Sequence, residues 1–155
     1  MALGEPKSCA KLIHVPEVME TSLAAALRER GQRVTPQRLM VARVLSDLDR
    51  HVTAEVVFDE VSRRMPGVSL PTVYATLDLL EGIGLVHRVA SERGAVVYDP
   101  RTDAHHHLVC RRCGAIVDVD GPVDAGALLA AAQSAGFAAD HAQVVVRGLC
   151  ADCAA

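Results

Sequence analysis

Four cysteines in the second half of the chain stand in two pairs, Cys110-Arg-Arg-Cys113 and Cys150-Ala-Asp-Cys153, with 36 residues between the pairs. A CxxC turn puts two thiolates on one side of a tight bend, and Gly114 after the first pair suits that bend. Two such pairs offer four sulfurs in the closed tetrahedral set that structural zinc prefers. Free or disulfide-linked cysteines are the alternative. A site closed by four sulfurs leaves no open position for catalysis. It would instead staple the C-terminus to its domain and couple metal binding to folding.

A second group offers nitrogen and oxygen. In an extended strand His105 and His107 share a face, while His106 points away. Asp99 lies just upstream of the triplet and Asp118 on the next strand-like segment. Imidazole with carboxylate suits ferrous iron, manganese or zinc better than a softer metal; a solvated histidine loop is the other reading. His51, between two helical segments of the first half, is by itself either an ordinary loop histidine or a ligand reaching across to the second half. In the latter case bound metal fixes the angle between the halves and acts as a switch.

These residues need elements to hold them. Residues 1–17, with Pro6 and Pro16, show no periodicity and read as an N-terminal extension that includes Cys9 and His14. Residues 18–31 read as a helix stopped by Gly31. Thr35-Pro36 starts a second, which carries Val41, Val44 and Leu45. Thr53 starts a third, ended by Met65-Pro66-Gly67, and Ser69 caps a fourth with the stripe Val73, Leu77 and Leu80. Segments 85–90 and 95–98 read as a hairpin joined by a Ser-Glu-Arg-Gly turn. Helices followed by a short hairpin give the winged helix–turn–helix order. Beyond a polar hinge at 99–104, segments 108–110, 115–119 and 143–147 read as strands and 123–135 as a helix. The expected fold class is α+β: a winged-helix domain over 18–98, then a small α/β domain over 105–155 with a structural zinc site.

Composition agrees. The chain has 155 residues, half of them apolar and 23% charged, enough for one ordinary domain or two small ones and against wholesale disorder. With 3% aromatics and no Trp, Leu, Val and Ala must fill the core. No apolar run approaches the roughly 20 residues of a membrane span, and no basic segment followed by an apolar one marks a secretory signal. A cytoplasmic protein with no membrane partner is expected, and in a reducing compartment paired cysteines read as metal ligands before disulfides. Net charge is −3, zero over residues 1–90 and negative after. Yet residues 23–45 hold Arg28, Arg30, Arg33, Arg38 and Arg43 against Glu29 alone, which keeps DNA open as a partner.

Read together, Arg33-Val34-Thr35-Pro36-Gln37-Arg38, His51-Val52-Thr53-Ala54-Glu55, Ser69-Leu70-Pro71-Thr72-Val73-Tyr74, Gly84-Leu85-Val86, His105-His106-His107-Leu108-Val109-Cys110, Cys113-Gly114 and the Cys150/Cys153 pair resemble the ferric uptake regulator superfamily. The motifs run in family order from about residue 22 to 153. The resemblance implies a homodimeric, metal-dependent winged-helix repressor with a C-terminal dimerisation domain, not an enzyme and without a small organic substrate. Cys110, Cys113, Cys150 and Cys153 match the family's structural zinc site. His51, Asp99, His105, His107 and Asp118 match all five ligands of its interdomain regulatory site. The iron-uptake branch usually carries Glu at the position of Asp118, whereas Asp marks the peroxide-responsive branch. By resemblance, then, this chain senses hydrogen peroxide with iron. The oxidant made at the metal adds oxygen to His51 or His105, and the damaged site releases metal and DNA. Manganese or zinc there would hold the DNA-binding shape without reacting. The alternative is a repressor of the same family that responds to iron, zinc or manganese level without peroxide chemistry.

The same resemblance places the fourth helix in the major groove of a pseudo-palindromic double-stranded operator. Ser69, Thr72, Tyr74 and Thr76 are its candidate polar contacts, and Arg33 and Arg38 face phosphates. Several positions depart from the family. Its second metal site corresponds to Ala104, His106, Ala125 and Ala142, of which three cannot bind metal, so that site is expected to be absent. His141 lies one position before the family's usual histidine. Ala75 stands where many members carry Arg, and Pro71 replaces a common small residue. Two rivals lie outside the family. A zinc hydrolase or deaminase built on His105 and His107 lacks both HExxH and the deaminase cysteine pattern. A zinc-binding interaction module without DNA affinity is the other.

Overall fold

Two helices start in the same way. Thr35 and Ser69 each hold an extended backbone, each hydroxyl accepts from the N–H three residues on, and each is followed by a proline in the first turn. That pairing of cap and proline satisfies one orphan N–H and removes another. The computed structural model describes residues 16–90, 95–121, 126–139 and 142–155. Its helices α1 (Pro16–Glu29), α2 (Pro36–Leu48), α3 (Ala54–Arg64) and α4 (Leu70–Gly82) pack around one core. Leu23 and Leu27 of α1 meet Val41, Val44 and Leu45 of α2, Val57 and Val61 of α3, and Val73, Leu77 and Leu80 of α4, all fully buried. Helix α1 begins at Pro16, two residues earlier than expected, because proline is tolerated in a first turn. Gly31, at φ 63°, follows its end.

Strands β1 (Val52–Thr53), β2 (His87–Ala90) and β3 (Val96–Asp99) form an antiparallel sheet in the order β1-β3-β2. The turn at 91–94 lies outside the described residues. Strand β1 was not expected; two residues carry no periodicity, and only pairing with Val97 and Tyr98 defines it. Asp99 also differs from the expected hinge. It closes β3, paired with His87, rather than opening a linker.

Strands β4 (His106–Cys110), β5 (Ile116–Val119) and β6 (Val145–Gly148) make a second sheet, ordered β5-β4-β6, with β4 antiparallel to β5 and parallel to β6. Helix α5 (Gly126–Ser134) lies between β5 and β6 in sequence, and the short α6 (Ala151–Ala154), not expected, ends the chain. Strand β4 starts earlier than the expected segment, so two members of the histidine triplet join the ladder. Among the described residues after 104, only His105, His107, Val109 and Cys110 are buried, and α5 buries none. The small sheet therefore has little core of its own. One face carries a cross-strand row, Val117–Leu108–Val146, exposed at 56%, 41% and 53%. No helix among the described residues is long and apolar enough to cross a membrane.

Candidate metal centre

Four elements bring five donors to one point. His51 precedes β1, Asp99 ends β3, His105 immediately precedes β4 and His107 lies within it, and Asp118 sits on β5 opposite His107. His105 and His107 share a face, as strand alternation requires, with their Nε2 atoms 3.0 Å apart. Asp99 Oδ2 lies 2.8 Å from His105 Nε2, 3.3 Å from His107 Nε2 and 3.7 Å from His51 Nε2. Asp118 Oδ1 lies 3.2 Å from His51 Nε2 and 3.7 Å from each of the other two. One donor atom from each of the five falls within 4.8 Å of every other. Donors about 2.1 Å from a shared ion sit about 3 to 4.3 Å apart, so the cluster has the dimensions of a coordination shell.

Protonation favours the same use. His105 Nδ1 lies 2.8 Å from the Asp103 carbonyl, which can only accept, so Nδ1 carries the proton and Nε2 faces the cluster bare. Burial, reinforced by the neighbouring His105 and His51 rings, holds His107 below the ordinary histidine range and thus neutral, as a ligand must be. His51 Nε2 and Asp118 Oδ1 are buried without a hydrogen-bond partner. Buried polar atoms rarely lack one, and a cation would satisfy both. Three imidazole nitrogens with two carboxylate oxygens fit a borderline or hard divalent ion.

The second cluster is the four cysteines. Gly114 N–H donates to the Cys110 carbonyl at 2.8 Å, with Gly114 at φ 80°, a turn that a side chain would strain. On the other side Cys150 caps α6, and Cys153 N–H donates back to its carbonyl at 3.0 Å. Cys113 and Cys150 sulfurs lie 3.7 Å apart, close to the about 3.8 Å that tetrahedral Zn–S bonds require. No disulfide joins these four. Backbone N–H groups of Cys113 and Cys150 bring the Cys110 thiol down to about 5, whereas contact with Cys150 pushes Cys153 up to about 12. The set fits a closed zinc site.

The expected DNA-facing residues divide. Arg33 is exposed, and Arg38 donates to the Arg33 carbonyl at 3.0 Å and to Gln32 at 3.5 Å. Ser69 and Thr72 share a hydroxyl contact of 2.9 Å at the open start of α4. Tyr74 is exposed, but its hydroxyl donates to Glu55 at 2.6 Å. Thr76 requires correction. It is fully buried and its hydroxyl donates to the Thr72 carbonyl at 2.7 Å, so it belongs to the core and does not reach DNA. The bond from Tyr74 to Glu55 was not expected, since a partner nineteen residues away leaves no mark on a sequence. Of the family's second site, Ala104 is exposed and His106 Nδ1 accepts from the Val144 N–H at 3.4 Å. Cys9, His14, Ala125 and His141 lie outside the described residues. Among the described residues, the two clusters above are the only groups of three or more potential metal ligands.

A helical unit with a three-stranded wing beside two sets of metal-type donors fits one class of protein, a metal-responsive transcriptional regulator. A match to the ferric uptake regulator family spans residues 29–147, and the chain belongs to that family. It is 38% identical over 131 residues to the transcriptional regulator FurA of Mycobacterium tuberculosis, covering 84% of this chain and 88% of that protein. It is 31% identical over 144 residues to the peroxide-responsive repressor PerR of Staphylococcus epidermidis, covering 93% and 95%. Among solved structures, a zinc uptake regulator complexed with zinc and DNA matches with a TM-score of 0.62 and 29% identity, over 90% of this chain and 95% of that one.

Proposed function

We propose that this chain is a homodimeric repressor that binds an operator when metal is held by His51, Asp99, His105, His107 and Asp118, and that peroxide ends repression by oxidising His51 or His105. Cys110, Cys113, Cys150 and Cys153 hold structural zinc; iron or manganese occupies the regulatory site, and zinc is a third candidate there. The carrying observation is the convergence of three imidazoles on two carboxylates, one of them Asp118. Any ion at that point touches the oxidisable rings. A ferrous ion held by these residues would supply the one-electron chemistry that cleaves hydrogen peroxide; overall, histidine and peroxide would give oxo-histidine and water, the ring losing the two electrons that the peroxide gains. His51 belongs to the helical unit and His105 adjoins the small sheet, so loss of either imidazole's lone pair loosens the tie between them. Metal then favours the DNA-competent shape by its differential affinity for the two arrangements.

The DNA face is the start of α4, with Ser69, Thr72 and Tyr74, flanked by Arg33 and Arg38. Binding to a chain of net charge −3 relies on this local patch and falls with salt. A two-fold dimer reads half-sites about one DNA turn, or a multiple of it, apart. The Val117–Leu108–Val146 row supplies an apolar surface that a second copy would cover. Leu108→Asp places a charge in that row and is expected to yield a monomer in sedimentation analysis, with metal-dependent DNA affinity lost.

Peptide mass spectrometry tests the peroxide step. Ferrous-loaded protein is exposed briefly to hydrogen peroxide beside a manganese-loaded control. One added oxygen on the His51 or His105 peptide, with iron alone, is expected. Unmodified histidines with iron bound would favour the second reading, a repressor set by metal level.

A further inference from the structure

We propose that Arg101 is a positioning residue that turns both acidic members of the histidine–aspartate cluster toward the metal. The inference rests on the reading of that cluster as a metal site. Arg101 acts on the two carboxylates in different ways. Its backbone N–H donates to Asp99 Oδ1 at 2.9 Å, which leaves Oδ2 for the three imidazoles. Its guanidinium stands 3.8 Å from Asp118 Oδ2, while Oδ1 faces His51 at 3.2 Å. Asp99 therefore gives one oxygen to the main chain of residue 101 in a hydrogen bond, Asp118 gives one to the guanidinium in a longer ion pair, and substitution of the Arg101 side chain removes only the second. Carboxylates that ligate metals are commonly held in this way by an outer partner.

The guanidinium is itself fixed. It donates to Asp103 at 2.6 and 3.0 Å and to Asp120 at 2.6 Å, which joins the segment after β3 to the end of β5. Those two carboxylates also answer the obvious objection, that a cation beside a cation site weakens binding. Loss of the guanidinium would leave Asp103 and Asp120 uncompensated, which by charge alone favours a cation, so weaker manganese binding without Arg101 would report orientation. The Arg101 side chain is 29% exposed, so its loss leaves no cavity in the core.

The test uses full-length, zinc-loaded protein and manganese alone, with affinity read by chelator competition. Arg101→Ala is expected to weaken manganese binding about 10-fold or more, the usual cost of removing an outer partner. Arg101→Lys, which keeps the charge near Asp118 but not the fork, should recover part of the loss. Metal-free melting should be unchanged in both. Cobalt substituted at the site supplies a readout that a merely structural role would not move. Its ligand-field bands in Arg101→Ala should shift toward those of Asp118→Asn. His107→Ala is the reference variant. If it loses manganese while Arg101→Ala binds as tightly as wild type with an unchanged cobalt spectrum, the role of Arg101 is refuted and the site stands. If His107→Ala also binds as wild type, the site reading fails and this proposal with it.

Discussion

His107→Ala should lower manganese affinity by at least about 100-fold, because removing even an outer partner of a metal ligand costs about 10- to 100-fold. His107 is fully buried, and its Nε2 lies within 3.7 Å of His105 Nε2, Asp99 Oδ2 and Asp118 Oδ1. The fold should survive, since β4 is held by main-chain pairing to β5 and β6 on either side. The consequence for DNA follows from linkage. A metal that strengthens DNA binding through a change of shape contributes a coupling of about 5- to 150-fold, and the variant should lose that whole factor. Fluorescence anisotropy on a duplex selected from a random library by the manganese-loaded protein would show it. An unaltered metal dependence in His107→Ala would remove His107 from the site.

Cys110→Ser should do something different and more severe. Structural zinc in small domains contributes about 10 to 16 kcal/mol of binding energy to folding. The small sheet has little else, because only His105, His107, Val109 and Cys110 are buried among its described residues. Loss of one sulfur should therefore release zinc and open β6 and α6, which follow the second cysteine pair in space through Cys150 N–H and Cys110 Sγ at 3.4 Å. The α1–α4 core is made of other residues and should persist. Zinc content by elemental analysis, with amide hydrogen exchange across the chain, separates the two units. Protection retained over β4 to β6 in a zinc-free variant would show that the sheet stands without the metal.

How far these sites could be read from the sequence differed by the range of the interaction. The four cysteines were legible because each half of the site is local: a CxxC turn declares two ligands within four residues. The pairing of His105 with His107 was legible because strand period is fixed at two. His51 was not legible from its own surroundings. It is delivered by β1, whose two residues have no pattern; the residues alone left a loop histidine and a reaching ligand both open, and the family resemblance chose the ligand. Asp99 was assigned to the site but to the wrong element, because a following proline and a run of polar residues look like a linker even when the last strand residue precedes them. Thr76 failed for a related reason. A threonine can face solvent or bond its own helix carbonyl, and the spacing from Tyr74 does not say which. Its place beside Val73, Leu77 and Leu80 in the buried stripe was the better guide. Arg101 and Glu55 act through partners brought close only by folding, Asp118 and Asp120 for the first and Tyr74 for the second.

The central claim is that one cluster, formed jointly by the helical unit and the small sheet, couples metal to DNA. Calorimetric titration of manganese into zinc-loaded protein, with and without the selected duplex, tests it most directly. Reciprocity requires that the duplex tighten manganese binding by the same factor, about 5- to 150-fold, by which manganese tightens binding of the duplex. Equal manganese affinity with and without the duplex would contradict the account.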